Sequence, residues 1–176
     1  MKHQTVLRFA AAVLLLLTVL CLLGCRKNSP ARYFSYLDAP AQATLTGKMG
    51  GLPFAATLYS EGRVGGAAQY MPDVALTFTS PPSLAGMTLT YRAEADEWSL
   101  SLGELSGITD TDGLGKIAAV LLCEQGIRSS VRGQGTVTLT LLDGTVLTLD
   151  EKTGKPLGAT YARDGRVIEV TVVGWE

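Results

Sequence analysis

Three short runs of this chain alternate apolar and small polar residues with a period of two. Val74, Leu76 and Phe78 alternate with Ala75, Thr77 and Thr79; Met87, Leu89 and Tyr91 with Thr88 and Thr90; and Trp98, Leu100 and Leu102 with Ser99 and Ser101. Successive side chains of a strand point to opposite faces, so this pattern fits strands with one buried and one wet face. Antiparallel sheets have such faces. Ser80 to Gly86 reads as a turn or short helical loop, because Pro81-Pro82 cannot sit in a central strand. Ala43 to Met49 and Phe54 to Ser60 read as an earlier hairpin around Gly50-Gly51.

The C-terminal part sets its own register. Thr136 to Leu141 and Thr145 to Asp150 flank Leu142-Asp143-Gly144, a three-residue loop with Gly144 left-handed. This spacing places Leu139 opposite Leu147, Val137 opposite Leu149 and Thr138 opposite Thr148, so both faces agree. A two-residue loop would pair Leu139 with Thr148 and bury a mixture. Lys152 to Pro156 forms the next turn, and Asp164-Gly165 sets Tyr161 against Ile168 and Ala159 against Val170. The expectation is a four-stranded meander from Thr136 to Trp175. One segment breaks the pattern: Leu114, Ile117, Ala118, Leu121 and Leu122 recur at helical spacing. We read a helix near 113–125 with one strongly apolar face, capped by Asp112 and ended by Gly126. It must pack on the sheet or cover its concave side.

The N-terminus carries Lys2 and Arg8 without an acid, and then an apolar run from Phe9 to Leu23. A bilayer-spanning helix needs about 20 residues, so this shorter run reads as a signal peptide. It ends in Leu22-Leu23-Gly24-Cys25, which resembles the bacterial lipobox; Leu23 is bulkier than the usual occupant of its position. The resemblance implies diacylglyceryl transfer to Cys25, cleavage between Gly24 and Cys25, and residence at the cell membrane on its extracytoplasmic side. The expected organisation is a removed signal over 1–24, a lipidated cysteine and short tether over 25–32, and one β-rich domain over 33–176.

Removal of 1–24 takes away Lys2, Arg8 and His3, leaving a mildly acidic chain with no histidine. That excludes Ser-His-Asp and Cys-His catalysis and His-ligated metals. With Cys21 discarded and Cys25 acylated, Cys123 is the one remaining thiol, so no internal disulfide can form. A surface without basic clusters argues against nucleic acid. Cys123, beside the helical stripe, reads as a small buried hydrophobe. Asp110-Thr111-Asp112-Gly113 lacks the remaining ligands of a calcium loop, and Glu94, Asp96 and Glu97 read as a solvated turn. Gly115-Lys116 and Gly154-Lys155 lack the hydroxyl and leading glycine of a phosphate loop. We expect no metal, no cofactor beyond the covalent acyl anchor, and no enzyme activity.

A curved antiparallel sheet with a covering helix, in a chain with a lipobox, resembles the lipoprotein-sorting (Lol-type) half-barrel group. The local likeness lies in Leu76 to Gly86, a strand entering a proline turn, and in Val146 to Asp150 followed by Thr153-Gly154-Lys155-Pro156-Leu157. The resemblance implies a half-barrel of about eight or more strands. It also implies a membrane-anchored domain that binds a lipid or other hydrophobic ligand. Phe54, Leu58, Phe78, Met87, Leu89, Trp98, Leu121 and Leu122 are the candidate lining of that cavity. The alternative is an interaction or envelope-sensing module with a filled core and a protein partner. Tyr33, Phe34 and Tyr36 read as a first strand or packing residues, or else as an aromatic patch facing the membrane.

Overall fold

A computed structural model describes residues 32–63, 71–109 and 113–176. The signal segment, Gly24, Cys25 and Asp110 to Asp112 lie outside the described residues. So does the expected Asp112 cap.

Eleven antiparallel strands make one curved, unclosed sheet. They are β1 (Ala41–Met49), β2 (Leu52–Ser60), β3 (Val74–Ser80), β4 (Thr88–Arg92), β5 (Glu97–Leu102), β6 (Leu105–Thr109), β7 (Ile127–Gly133), β8 (Thr136–Leu141), β9 (Val146–Asp150), β10 (Pro156–Arg163) and β11 (Arg166–Trp175). Their spatial order is β6-β5-β4-β3-β2-β1-β11-β10-β9-β8-β7, so two meanders join where β1 pairs with β11. Among the described residues one α-helix, α1 (Lys116–Leu122), lies in the chain between the two edge strands, β6 and β7.

The registers follow the parity of the apolar residues. Leu139 faces Leu147, Val137 faces Leu149, and Thr138 faces Thr148, with Gly144 at φ +92° in the loop. Tyr161 pairs with Ile168 and Ala159 with Val170 across the Asp164-Gly165 turn, where both central residues have positive φ as a type I′ hairpin requires. Met49 pairs with Leu52 around Gly50-Gly51. Gly47 is required for a different reason. A Cβ there would lie 2.0 Å from the Glu169 carbonyl oxygen and 2.9 Å from the Phe54 ring, which covers it.

Two strands escaped the sequence reading. β6 is exposed along nearly its whole length, and β7 is exposed on both faces. An edge strand with two wet faces has no alternation to detect. The helix is also shorter than the expected 113–125. It ends at Leu122, and Cys123 already has extended geometry (φ −86°, ψ 116°), so Gly126 does not terminate it. Instead Gly126 accepts a backbone hydrogen bond from Leu142, which leads the chain into β7. Nor does α1 have a single apolar face: Ile117 through Leu122 are all buried. A helix apolar on every side must be enclosed on every side.

The enclosing surfaces are the apolar face of the sheet and the start of the domain. Leu45, Leu58, Leu76, Leu89, Leu139 and Leu147 are fully buried on that face and form one core with α1. Tyr33, Phe34 and Tyr36 are not a strand. They surround a 3₁₀ turn at Ser35–Leu37 and are buried in the same core, so their rings are not an exposed patch. The Tyr36 hydroxyl donates to the Leu121 carbonyl, which α1 leaves unpaired, and its ring meets Trp175 edge-on at 5.6 Å.

Gly47→Ala is expected to lower stability by at least about 1–3 kcal/mol, the range for overpacked sites, because the obstacle is backbone. Urea denaturation of the domain measures it, and an unchanged midpoint would contradict the close approach.

Candidate functional site

An antiparallel sheet sends its turns alternately to two ends. The residues 49–52, 80–87, 102–105, 141–145 and 163–166 turn at one end, here the Gly50 end. The start of the domain, residues 61–63 after β2 and 71–73 before β3, and the turns 93–96, 134–135 and 151–155 lie at the other, the Tyr33 end. The two ends are closed very differently.

At the Tyr33 end, Arg63 acts as a clasp. It donates to Asp38 at 2.6 and 2.9 Å, to the Phe34 carbonyl at 3.2 Å, and to Glu124 after the end of α1. Its own backbone N–H reaches the Leu37 carbonyl at 2.7 Å. The Arg132 side chain of β7 lies beside that of Tyr33. These contacts seat the aromatic segment over the end of the core, where burial pushes the Tyr36 phenol well above its ordinary range.

The Gly50 end is stitched by Asp143. Its carboxylate accepts from the Thr145 backbone at 2.8 Å, the Thr145 hydroxyl at 3.0 Å, Lys116 at 3.0 Å and Gln125 at 3.1 Å. Lys116 also lies 4.3 Å above the Tyr161 ring. Burial alone would raise this carboxyl, but the Thr145, Gln125 and Lys116 bonds outweigh it and hold the pKa below the usual range. Gly115-Lys116 therefore belongs to a structural hub that fixes the start of α1.

Between this hub and the proline loop the packing leaves a hollow of about 170 Å³. Met49, Leu52 and Pro53 from the β1–β2 hairpin line one side, and Phe54 and Phe78 form the floor. Pro81, Ser83 and Leu84 from the β3–β4 loop and Leu114 and Ile117 from the helix start complete it. Ser83 alone among these carries a polar side chain. The loop cannot collapse inward, because it is tied to itself: Leu84 and Ala85 donate to the Pro81 carbonyl, and Gly86 and Met87 to those of Phe78 and Leu84. The Phe54 and Phe78 rings meet at 6.1 Å in an edge arrangement. The hollow is open to solvent on one side, and its apolar lining suits a small apolar group or the end of an alkyl chain.

The eight expected lining residues therefore divide. Phe54 and Phe78 line the hollow as well as the core. Leu58, Met87, Leu89, Trp98, Leu121 and Leu122 are buried in the same core and do not line it. Sequence reasoning missed Met49, Leu84, Leu114 and Ile117 as liners. Leu114 and Ile117 were visible as the first apolar positions of the helical stripe. Met49 and Leu84 sit at a strand end and in a turn, where periodicity carries no information.

The other candidates occupy ordinary places. Cys123 is partly buried, and burial pushes its thiol up. Asp96, at φ +50° in the acidic turn, accepts from the Tyr91 hydroxyl at 2.8 Å; burial and this bond push the phenol up to about 12. Lys155 donates to the Trp175 carbonyl at 3.2 Å. Among the described residues, no group of three or more acidic, histidine or cysteine side chains is placed to hold a metal. No helix among them is long and apolar enough to cross a membrane. Trp98 Nε1 is buried without a hydrogen-bond partner among the described residues, while the indole ring lies against Gly115.

Comparison with known proteins finds no matching family model and no curated protein of similar sequence. Solved structures do resemble the chain. An uncharacterised conserved protein from Thermus thermophilus superposes with a TM-score of 0.50 at 17% identity, over 84% of each chain, and shares the fold. A LolA superfamily protein from Nitrosomonas europaea gives 0.48 at 7% identity, over 84% of this chain and 91% of that one. A putative outer membrane lipoprotein-sorting protein domain from Vibrio parahaemolyticus gives 0.44 at 11% identity, over 84% and 90%.

Asp143→Asn is expected to lower stability near neutral pH and to flatten its acid dependence. A carboxyl with a depressed folded pKa stabilises above its unfolded value of about 3.9 and loses that contribution as pH falls through the folded value. Thermal melts from pH 7 to pH 3 measure this; parallel curves for the two proteins would contradict the hub. Cys123, with its raised pKa, should react with a disulfide reagent at pH 7 several-fold more slowly in the folded domain than in urea.

Proposed function

We propose that this protein is a membrane-anchored extracytoplasmic lipoprotein whose domain binds a lipid or other hydrophobic ligand without catalysis. The observation that carries the reading is the apolar hollow between the proline loop and α1, at the one end of the sheet that the aromatic segment does not cover. Its lining offers a chain-shaped ligand apolar contact and almost nothing to hydrogen-bond. That favours alkyl groups over sugars or nucleotides. The absence of histidine from 33–176, together with a raised Cys123 thiol, leaves little for nucleophilic chemistry. Most of the expected liners are already buried in the core. The proposed ligand therefore enters beside α1 at the Gly50 end and does not displace the centre of the core.

The anchor in this proposal is Cys25, acylated after cleavage at Gly24. Two or three acyl chains would hold the protein on a membrane, since each buried methylene contributes about 0.8 kcal/mol. The domain begins at Tyr33, at the end of the sheet opposite the hollow.

Displacement of 1-anilinonaphthalene-8-sulfonate by decanoate tests the ligand site. Leu84→Glu puts a charge against the hollow and is expected to weaken decanoate at least tenfold while the far-ultraviolet circular dichroism of the sheet is retained, since burying a leucine-sized group contributes about 1.5–3 kcal/mol. Equal affinity in the variant would place the ligand elsewhere; no binding by either protein would favour the module with a protein partner. The anchor has its own test. Cys25→Ser should abolish the acyl mass and processing after Gly24. A mutant found on membranes at the mature mass would contradict lipidation.

A further inference from the structure

Exposed apolar side chains occur at both ends of this sheet, and taken singly they call for no reason. The two free edges of the sheet are a different matter. An edge strand offers unpaired N–H and C=O groups to any extended chain, and proteins guard such edges with charge, proline, bulges or a covering element. β7 is guarded: Arg128 and Arg132 stand on it, and its register with β8 shifts between Ile127 and Ser129. β6 has only its short length. Leu105-Ser106-Gly107-Ile108-Thr109 holds no charge and no proline, and it pairs with β5 in unbroken register. Its Leu105 and Ile108 are 73% and 76% exposed.

The β5–β6 turn fixes which backbone groups are free. Gly103 (φ +60°) and Glu104 form a two-residue loop, and Leu102 and Leu105 face each other across it. Hydrogen-bonded and non-hydrogen-bonded pairs alternate along an antiparallel ladder. Leu105, Gly107 and Thr109 therefore turn their N–H and C=O groups toward β5, and Ser106 and Ile108 turn theirs outward. Gly107 adds a notch. It has no positive φ, and a Cβ there would meet nothing within 4 Å, so neither the backbone nor the packing of this chain requires glycine. A side chain of an added strand can reach across Gly107 to its partner Leu100, which packs against the core.

Charge selects the strand. Residues 93–109 carry Glu94, Asp96, Glu97 and Glu104 and no base. Glu97 begins β5 beside the Thr109 end of β6, and Glu104 precedes Leu105 at the other end. A strand that is apolar in the middle and basic at both ends matches this edge, and an acidic one is repelled. A second copy pairing antiparallel through its own β6 would bring its Glu104 toward the Glu97 end, acid against acid.

We propose that the β6 edge receives, as an added strand, an extended segment of a partner protein that is apolar in its middle and basic at both ends. Main-chain hydrogen bonds to Ser106 and Ile108 supply the affinity, and the Gly107 notch and the flanking acids supply the selectivity. The inference goes beyond the proposed ligand site and does not depend on it, because no residue of β6 lines the hollow. Nor does it ask anything of either end of the domain, since β6 runs along the side of the sheet.

The test uses residues 33–176, a compact unit that contains the whole sheet, α1 and the aromatic segment. The ¹⁵N-labelled domain is titrated with a capped peptide that has Lys-Lys at each end and Val-Thr-Val-Thr-Val between. The expected result is saturable binding at submillimolar peptide, with amide exchange of Ser106 and Ile108 slowed at least tenfold and that of β7 unchanged. Raising salt from about 0.05 to 0.5 M, across which the Debye length shortens from roughly 14 to 4 Å, should weaken binding several-fold. Glutamates in place of the lysines should abolish it. Ile108→Pro removes an outward N–H and no ladder bond, so it should keep the fold and cut binding tenfold or more. Ile108→Lys, at a side chain open to solvent, opposes the peptide's charge without touching the ladder and should also weaken it. No binding of the lysine peptide, binding by both variants equal to the parent's, or protection at Ser130 and Arg132 instead would overturn the proposal. Protection of Ser106 and Ile108 that grows with domain concentration in the absence of peptide would make a second copy the occupant and overturn it as well.

Discussion

The burial of α1 inside the curve of the sheet is the interaction on which the rest of this structure depends. A seven-residue helix has no stability of its own, because nucleation costs more than so few hydrogen bonds return. A single sheet with one apolar face is no better placed, since that face must meet something. Each solves the other's problem. Ile117, Ala118, Val120, Leu121 and Leu122 fill the concavity, and Leu45, Leu58, Leu76, Leu89, Leu139 and Leu147 give the helix its surroundings. Gly115 permits the close approach: a Cβ there would come within 2.9 Å of the Trp98 ring.

A short helix cannot cover the whole face of eleven strands, and the two ends of the domain settle the remainder differently. At the Tyr33 end the chain supplies Phe34, Tyr36 and Leu37, with Arg63 binding them to the loops around them. At the Gly50 end it supplies a proline loop held by its own backbone hydrogen bonds, and Asp143, whose bonds are spent on Lys116, Gln125 and Thr145. Between the proline loop, the β1–β2 hairpin and the start of the helix lies the hollow, over the rings of Phe54 and Phe78 at the rim of the core.

Much of this was legible in the sequence where one face is wet and the other dry. The pairing of β8 with β9 and of β10 with β11 followed from parity and turn length alone, because a one-residue slip would expose Leu139 or Ile168. The helix was visible from Leu114, Ile117 and Leu121, but its end was not. Gly126 invites a cap, yet Cys123 already leaves the helix, drawn by the Gly126–Leu142 hydrogen bond that starts β7. Edge strands β6 and β7 carried no pattern, being exposed on both faces. The hollow was legible only in Phe54 and Phe78, which belong to alternating strands, whereas Met49 and Leu84 become liners through the end of the β1–β2 hairpin and the shape of the proline loop, neither of which a residue pattern encodes.

Titration of the domain with decanoate, followed by ¹³C-methyl NMR of methionine, leucine and isoleucine, tests the central claim most directly. Binding at the uncovered end should shift the methyl signals of Met49, Leu84, Leu114 and Ile117 together and saturably, and leave Leu139 and Leu147 unmoved beneath the far half of the sheet. Shifts spread evenly through the core, or confined to methyls outside the Gly50 end, would contradict it.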